Sequence, residues 1–318
     1  MSEGKPFRDY KSYLLERFGC RVHKVTIDAG LTCPNRDGTV GYGGCIYCNS
    51  RGSGTGAALR SISIRDQILQ AQDYLRKRYK AEKFLGYFQS YSNTYAPLEK
   101  LKVMYEEAIS VPDVVGLTIG TRPDCVDDEK LDYLAELGER CYVSLEYGLQ
   151  SAHDRTLKLI NRGHDVATFV KAVEATRKRN IPICVHVILG LPGERPEDML
   201  QTARFLANLD IQAVKIHLLY VVRNTVLEQW YRQGRYACME RENYVKIASL
   251  FLAMLPPNVV IQRITGDPHR HELVAPAWAM EKHKNIQSII KYMRDHSLFQ
   301  GSLLGKALEE IMTVHFVE

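Results

Sequence analysis

Six short runs rich in β-branched and aromatic residues alternate along this chain with amphipathic helical patterns. Parallel strands need a crossover connection, and that crossover is right-handed, so the alternation predicts an α/β fold with helices outside a parallel sheet. A doubly wound open sheet and a partial barrel both satisfy this pattern. Polar, glycine-bearing segments follow the strand ends, where α/β barrels carry their sites, and this favours the barrel. The six predicted strands are residues 22–27, 84–89, 114–119, 142–145, 183–189 and 213–218.

Sequence signals also predict the ends of several helices. Ser63 followed by Asp66 forms a capping-box pattern that begins one helix, and Pro97 opens the next. The helix after the third strand is predicted to begin at Asp127 and to stop at Gly138. Two more helices are predicted to begin near residues 165 and 196. The predicted buried face of the helix after Ser63 consists of Ile64, Ile68, Leu75 and Tyr79.

The alternation of strands and helices ends after Thr225. Beyond it lie helical patterns at residues 226–234, 241–254 and from 282 onward, with one strand-like run, NVVIQRI. A length of 318 residues suits one catalytic domain with an appended region. We therefore predict an N-terminal segment (1–20), a partial six-stranded TIM-like barrel core (21–227) and an α-rich C-terminal extension (228–318) that covers the open side of the barrel.

Three of the eight cysteines form the spacing C-x11-C-x2-C, namely Cys33, Cys45 and Cys48. Thiolates select soft centres such as zinc, copper(I) or iron–sulfur clusters. A cubane iron–sulfur cluster asks for four cysteines, so three would leave one iron open to a substrate or cofactor. A structural zinc closed by a fourth ligand such as His23 is the alternative, although zinc sites usually show two closely spaced ligand pairs. The glycines between these cysteines are Gly38, Gly41, Gly43 and Gly44.

Composition limits the class of protein further. Scattered cysteines and the absence of an apolar leader or membrane-spanning run predict a cytoplasmic protein without membrane contact. A net charge of +5 and a pI near 8.7 permit a polyanionic partner without requiring one. Basic segments at residues 75–83, 176–180 and 268–284 slightly favour nucleic acid, although such runs are often solvated helix ends.

Several longer motifs are similar to those of one bacterial family of radical S-adenosylmethionine enzymes, whose nearest relative is the catalytic subunit of Elongator. The resemblance runs from about Val22 to beyond Trp278 and is carried by KVTIDAGLTCPNRDGTVGYGGCIYCNS, FQSYSNTYAP, TIGTRPDC, SLEYGLQS, NRGH, VILGLPGE and KIHLLYVVRNT. It implies an incomplete six-stranded barrel, a four-iron, four-sulfur (4Fe-4S) cluster on Cys33, Cys45 and Cys48, and S-adenosylmethionine as cofactor. It also implies an electron donor such as flavodoxin or ferredoxin.

The resemblance implies that the enzyme, a transferase or lyase, cleaves S-adenosylmethionine reductively and uses the 5′-deoxyadenosyl radical to abstract a substrate hydrogen. The implied substrate is tRNA, at the C5 side chain of a wobble uridine. A small metabolite or a peptide is an alternative substrate. A zinc-stapled nucleic-acid-binding protein is the non-enzymatic alternative.

The same resemblance and the chemistry of the side chains suggest the cofactor contacts. Gln89 and Ser90 stand where many relatives have Gly-Gly-Glu, and could serve the cofactor's amino group or form only a turn. Arg122 suits a carboxylate because its planar fork can bond it twice, or it could pair with Asp124 or Asp127. Ser151 is predicted to cap the next helix. The resemblance adds Tyr47 beside the adenine, Glu146 and Gln150 towards the ribose and methionine, Arg162, and His217 inside the barrel. Gly190 has no side chain and could let the main chain pass beside a flat adenine ring, or LGLPGE could form only a turn.

Overall fold

The computed structural model describes residues 4–49, 52 and 61–316. Three parts of the sequence predictions lie outside the described residues: the first three residues of the N-terminal segment, the last two of the extension, and Ser50 at the end of the longest motif. Among the described residues, no helix is both long and apolar enough to cross a membrane.

A seven-stranded sheet is the main feature of the described chain. Its strands are β1 (Val22–Ile27), β2 (Lys83–Phe88), β3 (Val114–Thr121), β4 (Tyr142–Gln150), β5 (Ile183–Leu189), β6 (Ala213–Leu218) and β8 (Val260–Arg263). They are hydrogen-bonded in the order β1-β2-β3-β4-β5-β6-β8. The predicted bounds of β1, β5 and β6 are confirmed, while β2 is shifted by one residue and β3 and β4 extend further toward their carboxyl ends. Two short strands, β7 (Val221–Val222) and β9 (Leu273–Ala275), form a separate antiparallel pair.

The seventh strand of the sheet, β8, comes from the NVVIQRI run. It pairs in parallel with β6, with Ala213 opposite Val260 and Val214 opposite Ile261. The prediction of six strands was therefore one strand short. The strand-like character of NVVIQRI was predicted, but its pairing with β6 depends on the tertiary fold and was not predictable from the local pattern.

Eleven α-helices are found in the described part of the chain. They are α1 (Tyr10–Phe18), α2 (Ile64–Tyr79), α3 (Leu98–Ile109), α4 (Asp128–Arg140), α5 (Asp154–Leu159), α6 (Val166–Arg177), α7 (Pro196–Ala207), α8 (Val226–Arg232), α9 (Arg241–Met254), α10 (Lys282–Asp295) and α11 (Leu308–Phe316). The predicted starts near residues 165 and 196 are confirmed, since Asp165 caps α6 through Thr168 N and α7 begins at Pro196.

The chain divides into two compact units. The cysteine-loop unit comprises Lys11–Leu149 and Gly163–Val185, and the C-terminal unit comprises Gln150–Arg162 together with the described residues before Lys11 and from His186 onward. In the cysteine-loop unit, α2 packs against β1 and α3 against β3. The sheet face beneath these helices is apolar and fully buried, and it includes Ile27, Phe88, Leu117, Ile119 and Leu145.

The helix predictions need two corrections. Tyr79 in α2 is 44% exposed, and Gln67 and Gln72 are buried instead. Their amide groups are satisfied by backbone oxygens, since Gln67 Nε2 donates to Asp28 O at 2.9 Å and Gln72 Nε2 donates to Pro112 O at 2.8 Å. Buried glutamines with satisfied amides give no apolar signal in a sequence pattern.

The second correction concerns α4, which begins after the predicted cap at Asp127 but passes through Gly138 and ends at Arg140. A glycine inside a helix costs only about 1 kcal/mol relative to alanine, which neighbouring packing can offset. The helix ends where Cys141 adopts an extended conformation directly before β4.

In the C-terminal unit, α9 is the most deeply buried helix and packs against α7 and α10. Its Tyr244 hydroxyl donates to Ile264 O at 2.9 Å, next to β8. The core of this unit is therefore built around α9, which the sequence predicted with the correct bounds.

Candidate functional site

The loop after β1 carries Cys33, Cys45 and Cys48 on a compact segment of tight turns. Arg36 N donates to Cys33 O at 2.8 Å, and Cys48 N donates to Cys45 O at 2.9 Å. Between Cys33 and Cys48, left-handed backbone, which glycine adopts without the strain of a side chain, is needed at three positions. These positions are Gly38, Gly43 and Gly44, with φ of +95°, +76° and +77°.

The three thiols are close enough to influence one another electrostatically. Burial, together with the charges of Cys45 and Cys33, raises the pKa of Cys48 to about 11, although the Arg36 guanidinium opposes this shift. Cys33 and Cys45 are themselves buried. Thiolates gathered in a poorly solvated place need a cation to offset their desolvation and mutual repulsion, and metal binding releases their protons. This set of donors fits a soft metal centre.

Asn35 is a residue of this loop that the sequence predictions missed. Its Nδ2 lies 3.9 Å from Cys45 Sγ, within the range of a weak hydrogen bond to sulfur, and the side chain is buried. A Cβ added at Gly41 or at Gly163 would lie 2.6 Å from Asn35 Oδ1. The NRGH motif therefore touches the cysteine loop through Gly163. Hydrogen bonds to cluster sulfurs tune iron–sulfur centres, so the amide suits the chemistry expected here.

The segment after β2 has an unusual backbone. Ser90 and Tyr91 have φ of +95° and +62°, although neither is glycine. Such conformations cost about 1–3 kcal/mol each and cluster at ligand sites. Ser90 Oγ is buried and has no hydrogen-bond partner among the described residues. Gln89 precedes it, and its backbone N–H donates to Ile27 O at 3.2 Å. A buried hydroxyl without a partner fits a ligand group at this strand end.

Hydroxyl groups tie this segment to the end of β3. Thr121 Oγ1 lies 2.9 Å from Ser92 Oγ and 2.6 Å from Thr94 Oγ1, and Thr94 Oγ1 also donates to Cys125 O at 2.6 Å. All three of these hydroxyl-bearing side chains are buried. The network connects the residues that follow Ser90 and Tyr91 to the end of β3.

Arg122 forms a bidentate ion pair with Asp124. Its Nε donates to Asp124 Oδ1 at 2.8 Å, and its second terminal nitrogen donates to Oδ2 at 2.6 Å. The guanidinium is nearly inaccessible, with its side chain 2% exposed. This salt bridge is one of the two alternatives that the sequence left open for Arg122.

Glu146 lies inside β4 and pairs with a lysine that the sequence predictions missed. Lys24 Nζ is 2.5 Å from Glu146 Oε1, and the two side chains are 16% and 0% exposed. Lys24 Nζ also lies 4.7 Å from the centre of the Tyr87 ring. The sequence does contain a signal for this pair, namely a lysine in the otherwise strand-like run VHKVTI. Charged residues are rarely buried unless they are paired, so a lysine in a buried strand indicates an acidic partner. Tyr47, between the paired cysteines, is half-buried.

The other predicted contacts belong to the C-terminal unit. Gln150 has φ of +78° at the end of β4, and the buried Arg162 donates its backbone N–H to Leu157 O at 2.9 Å. Gly190 has φ of +90°, and its carbonyl accepts from the Tyr236 hydroxyl at 3.0 Å. The remaining predicted contact is His217, whose ring centre is 5.3 Å from that of His186.

Ser151 does not cap the following helix, because His153 occupies the N-cap position of α5. Ser151 Oγ instead accepts from His153 N at 3.1 Å and donates to Glu194 Oε1 at 2.5 Å. Burial raises the pKa of Glu194, and the Ser151 hydroxyl opposes that shift. The glutamate of LGLPGE is thus held by the segment that follows β4, inside one unit.

Comparison with known proteins adds family information to this geometry. The sequence-family model of the radical S-adenosylmethionine (radical SAM) superfamily matches residues 33–206. The family model of the radical SAM C-terminal domain matches residues 211–295. The uncharacterized protein YtqA of Bacillus subtilis is 39% identical over 306 residues, which cover 96% of this chain and 95% of that protein.

Two further similarities are more distant. A tRNA uridine(34) acetyltransferase of Dehalococcoides mccartyi is 31% identical over 173 residues, which cover 54% of this chain and 37% of that protein. The solved structure of archaeal Methanocaldococcus infernus Elp3 with an N-terminal deletion has a TM-score of 0.64 at 18% identity, covering 88% of this chain and 64% of that chain. This likeness confirms the predicted α/β partial-barrel fold.

Proposed function

The chain belongs to the radical SAM superfamily, and from that premise we propose that it modifies the C5 side chain of a tRNA wobble uridine. Its family relationship to the catalytic subunit of Elongator is the one that the motifs predicted. The protein is accordingly a radical SAM enzyme whose cofactors are a 4Fe-4S cluster and S-adenosylmethionine. When bound together, these cofactors supply an electron that cleaves the carbon–sulfur bond and a radical that abstracts hydrogen from the substrate.

The three thiols on the loop after β1 carry the cofactor part of the proposal. Cys33, Cys45 and Cys48 are assigned as the cluster ligands, which leaves one iron for the methionine part of S-adenosylmethionine. Their mutual charge effect and the amide of Asn35 beside Cys45 support this assignment. The superfamily match favours the cluster over a zinc staple.

The strand ends supply the remaining contacts in this proposal. Ser90 presents a buried hydroxyl, and Glu146 presents a carboxylate that accepts hydrogen bonds from cofactor hydroxyls. Tyr47, Gln89, Gln150, Arg162, Gly190 and His217 are retained as proposed contacts. Arg122 acts through Asp124, by fixing the turn after β3.

The substrate part of the proposal rests on the similarity to tRNA uridine(34) acetyltransferases. The matched region is 37% of the Dehalococcoides protein, so the acetyl transfer in that protein's name is not carried over. A different change to the same C5 side chain is proposed. Flavodoxin or ferredoxin is the proposed source of electrons.

Mass spectrometry of tRNA nucleosides tests the substrate. A strain lacking the gene should accumulate a wobble uridine whose C5 substituent differs in mass from that of the parent strain. The wild-type gene should restore the parental nucleoside, and a Cys45→Ala variant should not. Unchanged tRNA nucleosides in the deletion strain would instead favour a small metabolite or a peptide as substrate.

A further inference from the structure

The two faces of the β1–β4 sheet have opposite character. Strand register places Thr26, Tyr87, Thr118 and Ser144 in one row across the four strands. This row lies on the face opposite to the apolar one that packs against α2 and α3. Ser144 Oγ donates to Thr118 Oγ1 at 3.2 Å on this polar face. Barrel interiors are usually filled by layers of branched apolar side chains, so a polar, buried inner face is suited to a ligand rather than to core packing.

Lys24 and Glu146 share this inner face but are far apart in the strand register. Lys24 pairs with Leu85, which pairs with Gly116, which pairs with Tyr142, so Glu146 lies three strands away and four residues further along. In a flat sheet their Cα atoms would be about 19 Å apart, at about 4.8 Å per strand and 3.3 Å per residue. The two side chains are too short to bridge that separation. The observed distance of 2.5 Å between Lys24 Nζ and Glu146 Oε1 therefore requires β1–β4 to curl around this face.

Stability alone does not explain this ion pair. Burying two charges is costly, and apolar residues of similar volume often replace a buried pair without loss of stability. What the pair does supply is a carboxylate fixed in charge and direction, since Lys24 bonds it and the Tyr87 ring supports the ammonium. The Glu146 side chain is 0% exposed, and the Lys24 ammonium helps to offset the cost of burying its charge.

We propose that Lys24 is a positioning residue that orients the Glu146 carboxylate to accept a hydrogen bond from the ribose of S-adenosylmethionine. The inference rests on the cofactor role given to Glu146 in the proposed function. It assigns to Lys24 no contact with the reacting atoms. The ion pair sets the affinity for the cofactor, while the cluster depends on the loop after β1.

Equilibrium dialysis of S-adenosylmethionine against anaerobically reconstituted protein tests this role. Lys24→Met should raise the Kd at least about ten-fold, the typical effect of losing a hydrogen bond to a charged group. Lys24→Arg, which keeps the charge, should restore most of the affinity. The matched control is Lys83→Met, because Lys83 Nζ forms an ion pair of 2.8 Å with Asp113 in the same unit at a more exposed place. Its Kd and iron content should equal those of the wild type.

A double variant keeps the test valid if a single variant folds poorly. Lys24→Met combined with Glu146→Gln removes both charges, which a buried site tolerates better than one unpaired charge. If Lys24 acts through Glu146, the double variant should bind S-adenosylmethionine as weakly as Glu146→Gln alone. The inference would be overturned if the losses of binding free energy from the two single variants added in the double variant. An unchanged Kd in Lys24→Met would overturn it as well. Wild-type protein that fails to bind S-adenosylmethionine would instead overturn the proposed function.

Discussion

Cys33, Cys45 and Cys48 differ from the other cysteines in lying together on one loop. Anaerobically purified protein should contain about four irons and four sulfides per chain. Alanine at any of the three positions should abolish this content, because a cubane cluster held by two thiolates is poorly retained. Iron and sulfide analysis with visible absorption spectra measures the outcome.

Three of the five remaining cysteines provide matched controls for that measurement. Cys125→Ala, Cys141→Ala and Cys238→Ala should retain iron, since none of the three belongs to the loop after β1, although the charge of Cys33 reaches Cys125 and contributes to its raised pKa. Loss of iron in one of these variants would mean that the ligands are misassigned. Colourless protein with one tightly bound zinc would contradict the cluster itself.

Glu194 should give the stability of the protein a pH dependence. Because burial raises its pKa in the folded state, the folded protein holds the proton more tightly than the unfolded chain. The stability linked to this group is present at low pH and is lost as pH rises through the raised pKa. Glu194→Gln keeps an acceptor for Ser151 but does not titrate, so its stability relative to the wild type should increase with pH.

Urea unfolding at several pH values measures this difference in the free energy of unfolding. Glu309→Gln, on the surface of α11, is the control and should give a curve parallel to that of the wild type. A constant difference between Glu194→Gln and wild type at all pH values would show that Glu194 does not titrate differently in the folded protein.

At the scale of single elements, two glycines should respond in opposite ways to alanine. Gly138 lies exposed inside α4 with no atom within 4 Å of an added Cβ, so Gly138→Ala should stabilise the protein by about 0.5–1 kcal/mol. Gly116 lies in β3, where an added Cβ would be 2.0 Å from Tyr142 O. Gly116→Ala should destabilise the protein by about 2 kcal/mol or more, because backbone of β4 would have to move.

Denaturant unfolding of the two variants measures whether the free energy of unfolding rises in Gly138→Ala and falls in Gly116→Ala. A destabilised Gly138→Ala would indicate that α4 ends at Gly138, as the sequence predicted. A Gly116→Ala variant as stable as the wild type would contradict the close approach of β3 and β4. Each variant therefore acts as the control for the other.

At the scale of the whole molecule, binding to tRNA should depend strongly on salt. Lys77, Arg78, Lys80, Arg270 and Lys284 are exposed and lie in the basic segments. Each phosphate that they neutralise releases counterions, so affinity should fall steeply between about 50 and 200 mM salt. Alanine at these positions should weaken binding to all tRNAs and reduce the slope of affinity against salt concentration.

Binding measurements at several salt concentrations test this, alongside 5′-deoxyadenosine production with and without bulk tRNA. Lys102→Ala and Lys291→Ala remove charges outside these segments, at half-buried Lys102 and exposed Lys291, and should leave the slope unchanged. A flat response to salt together with no stimulation by tRNA would leave a small metabolite or peptide as the favoured substrate.

The sequence by itself determined the alternation of the first six sheet strands with helices, most of their bounds and the grouping of three thiols. Hydrophobic periodicity, helix caps and short spacings depend on residues close together in the chain, so β1, β5, β6 and α9 were predicted at their observed bounds. The motifs also determined the family, because they extend over most of the chain.

Only the tertiary structure decided which side chains meet across the sheet. Lys24 and Glu146 are 122 residues apart in the chain, and curling of four strands brings them into contact. Asn35 packs against Gly163 for a similar reason, and β8 is defined by its pairing with β6. Contacts of this kind depend on register and curvature, which local sequence patterns do not encode.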